Sequence, residues 1–166
     1  MQDKLGVLFV CTANICRSPT AEAMFCSKAT TAEIMDQLII DSAGTHYYRV
    51  GEPPDPRAQD AASKRGYDLS ALRARKIALS DFDLFDYIIA MDMKNMAALE
   101  SLREGGPIRK PELMMSFSRL YKDKDVPDPY GGGDRDFELV LDMLESATDG
   151  LLAVVKQNLM RREKIR

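Results

Sequence analysis

The sequence predicts an α/β fold in which a four-stranded parallel sheet carries helices on both faces. Short apolar runs alternate with longer segments of helical periodicity, which is typical of βαβ units. The first run, residues 5–10, has no polar side chain, as expected for a strand buried on both faces. A single domain over residues 1–166 is expected, because this length suits one hydrophobic core and no linker or repeat divides it.

The first helix is expected to begin at Ser18. Serine is a good N-cap residue, and the proline that follows suits the first helical position. A second strand over residues 38–40 and a proline-rich loop over residues 51–57 come next. From about residue 56 to 65 a helix is predicted, closed by the glycine after it.

The second half of the chain continues the alternation. A run of apolar residues predicts a third strand over residues 86–91, and a helix is expected over residues 94–103. A weaker strand signal lies within residues 112–117, and a loop rich in proline and glycine covers residues 125–133. From residue 134 onward, apolar positions recur at helical spacing.

Composition excludes several classes of protein. The net charge is −3, whereas a nucleic-acid-binding domain would carry a basic surplus, so no nucleic acid partner is expected. No apolar stretch approaches the roughly 18 residues that span a bilayer, which predicts no membrane insertion. Three cysteines and one histidine favour neither a disulfide scaffold nor a metal site, and no cofactor is expected. Residues 1–4 lack the features of a signal peptide, so we expect a cytoplasmic protein, as a monomer or weak dimer.

The chemistry of the chain is expected directly after the first strand. In parallel α/β sheets, ligands bind outside the carboxyl ends of the strands. Here a cysteine, five further residues and an arginine precede the start of a helix. Backbone N–H groups, a helix N-terminus and a planar guanidinium together suit a phosphate group. The candidate phosphate-binding residues are Thr12, Ala13, Asn14, Ile15, Cys16, Arg17 and Ser18.

The same surroundings favour a thiolate at Cys11. Positive charge from Arg17 and from the helix N-terminus stabilises the anionic form of a nearby thiol. A thiolate can attack phosphorus, and Ser18 can donate a hydrogen bond to the sulfur when it leaves in a second step. We therefore predict Cys11 as nucleophile and Arg17 as phosphate clamp. A buried structural cysteine is the alternative, which leaves the arginine and the turn unexplained.

At these residues the chain resembles the low-molecular-weight protein tyrosine phosphatases. The signature of that family is close to Cys-x-x-Asn-Ile-Cys-Arg-Ser-Pro followed by Ala-Glu, and it is present here from Cys11 to Glu22. The match covers nearly the whole domain. Further matching segments lie, in the order of the family, at residues 41–45, 51–57, 91–95 and 128–130.

The resemblance implies a metal-independent protein-tyrosine phosphatase that works through a cysteinyl-phosphate intermediate. Asp128, in the sequence Asp-Pro-Tyr, matches the general acid of the family, which protonates the leaving phenolic oxygen and later activates water. Without the family, Asp128 would be interpreted as a turn residue. Tyr48 and Tyr130 match the aromatic walls of a pocket too deep for phosphoserine. The implied partner is a phosphotyrosine-containing protein, and tyrosine kinases on which bacterial relatives act are candidates.

The resemblance also implies support for the phosphate-binding loop. Asn14 and Ser42 match a hydrogen-bond network that holds this loop in its strained shape. Leu72 falls where many members have a histidine, so support is expected to come from elsewhere or to be weaker. Ala13 replaces a glycine of many relatives, so the backbone there should accept a side chain.

Several alternatives remain open. Relatives with the same fold hydrolyse phosphoarginine and carry threonine where this chain has Ile15, whose larger side chain should favour a flat aromatic ring. Relatives that reduce arsenate need further cysteines late in the chain, and none follows Cys26. Cys11 and Cys16 are too far apart for the Cys-x-x-Cys of a thiol oxidoreductase, although the family resemblance implies a reversible protective disulfide between them. Cys16 as a packing residue is the alternative, and an inactive phosphate-binding protein is disfavoured by the complete set of nucleophile, arginine and acid.

Overall fold

The α/β class is confirmed by the structure, a computed structural model that describes residues 4–106 and 109–165. The expectation about a signal peptide concerns residues 1–3 in part, which lie outside this description. The strands are β1 (Leu5–Cys11), β2 (Leu38–Gly44), β3 (Tyr87–Ala90) and β4 (Glu112–Leu113). The helices are α1 (Arg17–Thr31), α2 (Pro56–Lys64), α3 (Asp81–Leu84), α4 (Met93–Leu102) and α5 (Asp134–Lys164). Two short 3₁₀ helices cover Met35–Gln37 and Met114–Phe117.

The sheet places the end of β1 at the point where ligands bind in this class of fold. Its strand order is β2-β1-β3-β4, and all pairs are parallel. The chain moves from β1 to β2 on one side and then crosses to β3 on the other side. The strand order therefore reverses at β1, which makes its carboxyl end a topological switch point. Cys11 is the last residue of this strand.

Alternating side chains of β1 form the two halves of the core. Every residue of β1 is buried. Phe9 packs in the larger cluster, which includes Phe25 of α1 and Leu144 of α5. Leu8 points to the opposite face and packs in the cluster that contains Leu99 of α4. The central strand is thus covered on both faces, as its apolar sequence predicts.

The start of the first helix differs from the prediction. Helix α1 begins at Arg17, its N-cap residue is Cys16, and no side chain caps its first turn. Ser18 is therefore not the cap, because its hydroxyl bonds to the sulfur of Cys11 instead. The first-turn N–H groups of α1 remain without a side-chain partner, which leaves them to bind an anion.

The last helix runs without interruption through Gly150. A Cβ atom at this position would overlap the carbonyl oxygen of Phe117, at the end of the second 3₁₀ helix. Gly150 is thus a point of close packing and not a break.

The short helix α3 was not predicted, and the fourth strand has two residues before the chain turns into the 3₁₀ helix. Within the described ranges, no helix is long and apolar enough to cross a membrane.

Candidate active site

A pocket of about 290 Å³ lies at the carboxyl end of β1. Three segments form it: the phosphate loop (residues 11–18), the Tyr48 loop (residues 45–55) and the Asp128 loop (residues 125–133). Most of the predicted site residues are thereby brought together, whereas Asn14, Ser18 and Ser42 do not line the pocket. The lining residues are Cys11, Thr12, Ala13, Ile15, Cys16, Arg17, Tyr48, Arg49, Asp128 and Tyr130.

The backbone of the phosphate loop directs its carbonyl groups outward. The carbonyl of Cys11 accepts a hydrogen bond from the N–H of Thr45 at 2.9 Å, and the carbonyl of Ile15 accepts one from the N–H of Asp55 at 2.8 Å. In a trans peptide the following N–H points away from the carbonyl, and the described chain has no cis peptide bond. These N–H groups therefore face the pocket, where they and the helix N-terminus favour an anion.

A chain of buried hydrogen bonds leads to the sulfur of Cys11. The Oγ of Ser18 is 2.9 Å from the Sγ of Cys11, and Asn14 Nδ2 donates to the same Oγ at 2.7 Å. Asn14 Nδ2 also donates to Ser42 Oγ at 2.9 Å, and this hydroxyl donates to Glu22 Oε2 at 2.5 Å. Because Ser18 accepts from Asn14, its own proton can be donated to the sulfur. The network thus orients the hydroxyl of Ser18 toward the sulfur of Cys11.

The strained position in the phosphate loop is Asn14, whose φ is +59°. Its Oδ1 accepts a hydrogen bond from the backbone N–H of Arg75 at 3.0 Å, which fixes the side chain from a third direction. Leu72 packs half-buried against the core and takes no part in this network. Support for the loop therefore comes from Glu22 and from the backbone at Arg75. Sequence reasoning assigned a role to neither, since both act through contacts distant in sequence.

Glu22 is a buried carboxyl group, 8% exposed, on α1. Burial raises the pKa of Glu22 to about 7; the hydrogen bond from Ser42 opposes this shift and the charge of Asp41 adds to it. Near neutral pH, Glu22 thus exchanges a proton in direct contact with the hydrogen-bond network that reaches Cys11.

The guanidinium of Arg17 is fixed at the pocket floor. The side chain is 2% exposed, and its Nη1 donates to Asp92 Oδ2 at 2.6 Å and to the carbonyl of Val126 at 3.0 Å. Its Nη2 lies 3.8 Å from Asp128 Oδ2. Burial disfavours the charged form, but the negative charges of Cys11 and Asp92 outweigh it and raise the pKa of Arg17. A permanent, immobile cation is thus available to bind phosphate oxygens.

The start of α4 supports both Arg17 and Thr12. Asp92 is the N-cap of this helix, and its Oδ1 accepts the N–H of Asn95 at 2.7 Å. Asn95 Nδ2 in turn donates to Thr12 Oγ1 at 3.1 Å. In the sequence, Asp92 and Asn95 stood out only as part of a matching segment. An aspartate before a helical pattern is a capping signal that could have located this contact.

Asp128 and the two tyrosines lie at the pocket mouth. Asp128 is 53% exposed, and its Oδ1 accepts the N–H of Tyr130 at 3.2 Å. The ring of Tyr48 stacks on His46, with the ring centroids 5.0 Å apart. A carboxyl group that shares a pocket with a thiol and with two aromatic rings suits proton transfer to an aromatic leaving group.

The chain matches the family described as low molecular weight phosphotyrosine protein phosphatase over residues 6–162. It belongs to this family. The rat low molecular weight phosphotyrosine protein phosphatase is 44% identical over 139 residues, which cover 81% of this chain and 85% of the rat protein.

Solved structures agree with this family assignment. The protein tyrosine phosphatase of Entamoeba histolytica superposes with a TM-score of 0.88 at 37% identity, covering 93% of this chain and 99% of that one. The Drosophila arginine phosphatase superposes with a TM-score of 0.84 at 32% identity, covering 90% and 97%. The described fold is thus shared by two proteins that are named for different substrates, a tyrosine phosphatase and an arginine phosphatase.

Cys16 is the second cysteine in the pocket of this family member. Burial raises the pKa of the Cys16 thiol, and the negative charges of Asp55 and Cys11 raise it further. The neutral thiol is therefore the resting form of Cys16. Cys11, Cys16 and Cys26 are all free thiols.

In the described part of the chain, no group of three or more His, Cys, Asp or Glu side chains is arranged to hold a metal ion.

Proposed function

We propose that this chain hydrolyses phosphotyrosine in proteins through a cysteinyl-phosphate intermediate on Cys11. One observation carries the proposal: the Ser18 hydroxyl, which accepts from Asn14, lies 2.9 Å from the Cys11 sulfur, to which it can donate, and Arg17 lines the same pocket as this sulfur. This arrangement stabilises a sulfur anion as attacking group and as leaving group. A buried cysteine with only a structural role would need no stabilisation of a sulfur anion.

In the first step, the phosphate of the substrate binds to the N–H groups of the phosphate loop and to Arg17. The thiolate of Cys11 attacks phosphorus, a P–S bond forms, and the P–O bond to the tyrosine breaks. Asp128 gives its proton to the departing phenolic oxygen, which leaves as a neutral phenol. Asp128 lines the same pocket as Cys11 and is half exposed, which supports this role.

In the second step, water attacks the phosphorus of the cysteinyl phosphate. The carboxylate of Asp128 accepts a proton from this water, the P–S bond breaks, and inorganic phosphate is released. The sulfur leaves as a thiolate that the hydroxyl of Ser18 stabilises. Arg17 keeps its contact with the phosphoryl oxygens in both steps, so its charge requires no reorganisation.

Phosphoarginine is the second candidate substrate, favoured by the structural similarity to the Drosophila arginine phosphatase. The pocket lining supports phosphotyrosine instead. Ile15, Tyr48 and Tyr130 surround the space above the phosphate loop with apolar and aromatic groups, which suit a phenyl ring. A substrate guanidinium would leave N–H donors beside Ile15 without a polar partner.

The test compares a phosphotyrosine peptide with the matching phosphoarginine peptide, with EDTA present. We expect faster hydrolysis of phosphotyrosine by wild type and no hydrolysis of either peptide by Cys11→Ser. Cys26→Ser, at a cysteine outside the pocket, is the matched control and should retain full activity. Activity in Cys11→Ser, or dependence on a metal, would refute the mechanism, and preference for phosphoarginine would refute the substrate.

For the physiological partner, we propose a cytoplasmic protein that carries phosphotyrosine, with an autophosphorylated tyrosine kinase as the first candidate. The three free thiols support a reducing compartment. Cys11→Ser retains the phosphate-binding loop and can capture such a substrate from a lysate. Elution by vanadate, which occupies the phosphate site, identifies specific capture, whereas proteins that vanadate does not elute count against this partner class.

A further inference from the structure

Arg49 connects the two loops that flank the pocket. It lies in the Tyr48 loop, and its Nη2 donates to the hydroxyl of Tyr130 in the Asp128 loop at 2.7 Å. The same guanidinium lies 5.7 Å from the centroid of the Tyr130 ring. A polar contact and a cation–π contact from one side chain thus restrain one ring.

The planar guanidinium of Arg49 has two NH₂ groups and can therefore bond to two partners at once. While Nη2 bonds to Tyr130, Nη1 donates to Glu52 Oε2 in the same loop at 3.2 Å. From the other side, Arg57 Nη2 donates to the backbone carbonyl of Tyr130 at 2.7 Å. Tyr130 is therefore held at its hydroxyl by Arg49 and at its backbone by Arg57, although its side chain is half-exposed.

Tyr130 transmits this restraint to the carboxyl group of Asp128. Its backbone N–H donates to Asp128 Oδ1 at 3.2 Å, two residues earlier in the loop. We infer that Arg49 is a positioning residue for Asp128, acting through the hydroxyl of Tyr130. This inference rests on the proposed function, because it assigns Arg49 to the proton transfer of the first step.

Arg49 and Tyr130 also lie between the pocket and a neighbouring hollow. Arg49, Tyr130 and Ile15 line both the pocket and a neighbouring hollow of about 350 Å³, whose other walls include Pro53 and Pro54. The bonded pair thus separates the two spaces. When the hydrogen bond is lost, the ring of Tyr130 gains room to turn into the hollow, and the Asp128 loop loses the contact that holds the Tyr130 hydroxyl.

The experiment uses two leaving groups. 4-Nitrophenyl phosphate needs little protonation, because its phenolate is stable, whereas phenyl phosphate depends on the general acid. Arg49→Met keeps an apolar stem and removes the donors, and Tyr130→Phe keeps the ring and removes the hydroxyl. We expect each variant to lower kcat/KM for phenyl phosphate roughly three- to tenfold, and for 4-nitrophenyl phosphate by roughly twofold or less.

The double variant tests the connection itself. If Arg49 acts through Tyr130, Arg49→Met combined with Tyr130→Phe should lose no more activity than either single variant. Glu52→Gln is the matched control, since it removes a negative charge beside the guanidinium while its amide oxygen can still accept from Nη1, and it should leave both substrates unaffected. Losses that multiply in the double variant, equal losses on both substrates, or a Glu52→Gln loss that matches Arg49→Met would overturn the inference. Failure of the proposed function is distinct, because wild type itself would then not hydrolyse phenyl phosphate.

Discussion

The phosphate loop and the Asp128 loop face the same pocket but are held in different ways. Cys11, Arg17 and Ser18 in the phosphate loop are all buried, and they bond to buried or partly buried groups. In the Asp128 loop, Asp128 and Tyr130 are about half exposed. Their loop is attached mainly by arginines from other segments, namely Arg17, Arg49 and Arg57.

Because of this difference, the loop that contributes to the stability of the fold is not the loop that carries the proposed general acid. A site that binds developing negative charge must be preorganised, because reorganisation during the reaction would cost energy. The phosphate loop is accordingly part of the core of the protein. A general acid must reach substrates of different shape, and an exposed carboxyl group in a loop can do so. Substitutions in the two loops should therefore change different measured quantities.

The largest expected effect is that of Asp128→Asn on catalysis alone. Loss of the acid should lower kcat/KM for phenyl phosphate by roughly 10²–10⁴. The free energy of unfolding should change by less than about 0.5 kcal/mol, because the side chain is half exposed. Steady-state kinetics and urea unfolding measure the two quantities. Asp125→Asn, at an exposed aspartate of the same loop, should change neither, and an equal loss there would contradict the assignment of the acid.

In the phosphate loop, Asn14→Ala should lower both quantities. The substitution leaves the N–H of Arg75 without its acceptor and frees Ser18, so we expect about 2–4 kcal/mol less stability and a roughly ten- to hundredfold lower kcat/KM. Asp123→Ala controls for backbone strain, since Asp123 also has a positive φ, of 67°, but lies exposed in a loop. Equal destabilisation in both variants would assign the effect to the backbone and not to the network.

Glu22→Gln should change how stability depends on pH. The pKa of Glu22 is raised from its ordinary 4.5 to about 7 in the folded protein, so between these values the folded state retains a proton that the unfolded chain releases. The contribution of Glu22 to stability is thus complete below pH 4.5 and is lost as the pH rises through 7. The loss amounts to about 3 kcal/mol, since one pKa unit corresponds to about 1.4 kcal/mol.

The glutamine variant removes this dependence while its amide oxygen still accepts from Ser42. Urea unfolding between pH 4.5 and 8 should show the wild type losing stability relative to Glu22→Gln. Glu33→Gln removes an exposed carboxyl group after α1 and controls for the change in net charge. Parallel profiles for wild type and Glu22→Gln would show that Glu22 is ionised at neutral pH in the folded state.

The same contrast explains what the sequence could predict. Cys11 and Arg17 lie within one short segment between a buried strand and a helix, so local patterns predicted their role. Asp128 lies far along the chain and was predicted only through the family resemblance. The contribution of Arg75 comes from its backbone N–H, which carries no signal in the side-chain sequence. Ser18 was wrongly expected as a helix cap, because a local preference cannot show that a sulfur from the preceding strand competes for the hydroxyl.

The smallest expected effect comes from Ile15→Thr, a change in the phosphate loop that faces the pocket and not the supporting network. Threonine removes apolar contact with a phenyl ring and adds a hydroxyl that can accept from a guanidinium. The ratio of kcat/KM for phosphotyrosine over phosphoarginine should fall roughly tenfold, which is the scale of small changes in pocket shape. Stability should fall by roughly 1–2 kcal/mol, because Ile15 is 7% exposed and packs in the larger core cluster.

Val50→Thr is the control for this selectivity test. It makes the same kind of replacement at a side chain that is 56% exposed and does not line the pocket. Its ratio should equal that of wild type. An unchanged ratio in Ile15→Thr would instead place substrate choice in the exposed Tyr48 and Asp128 loops, because the buried phosphate loop would then bind only the phosphate group common to both substrates.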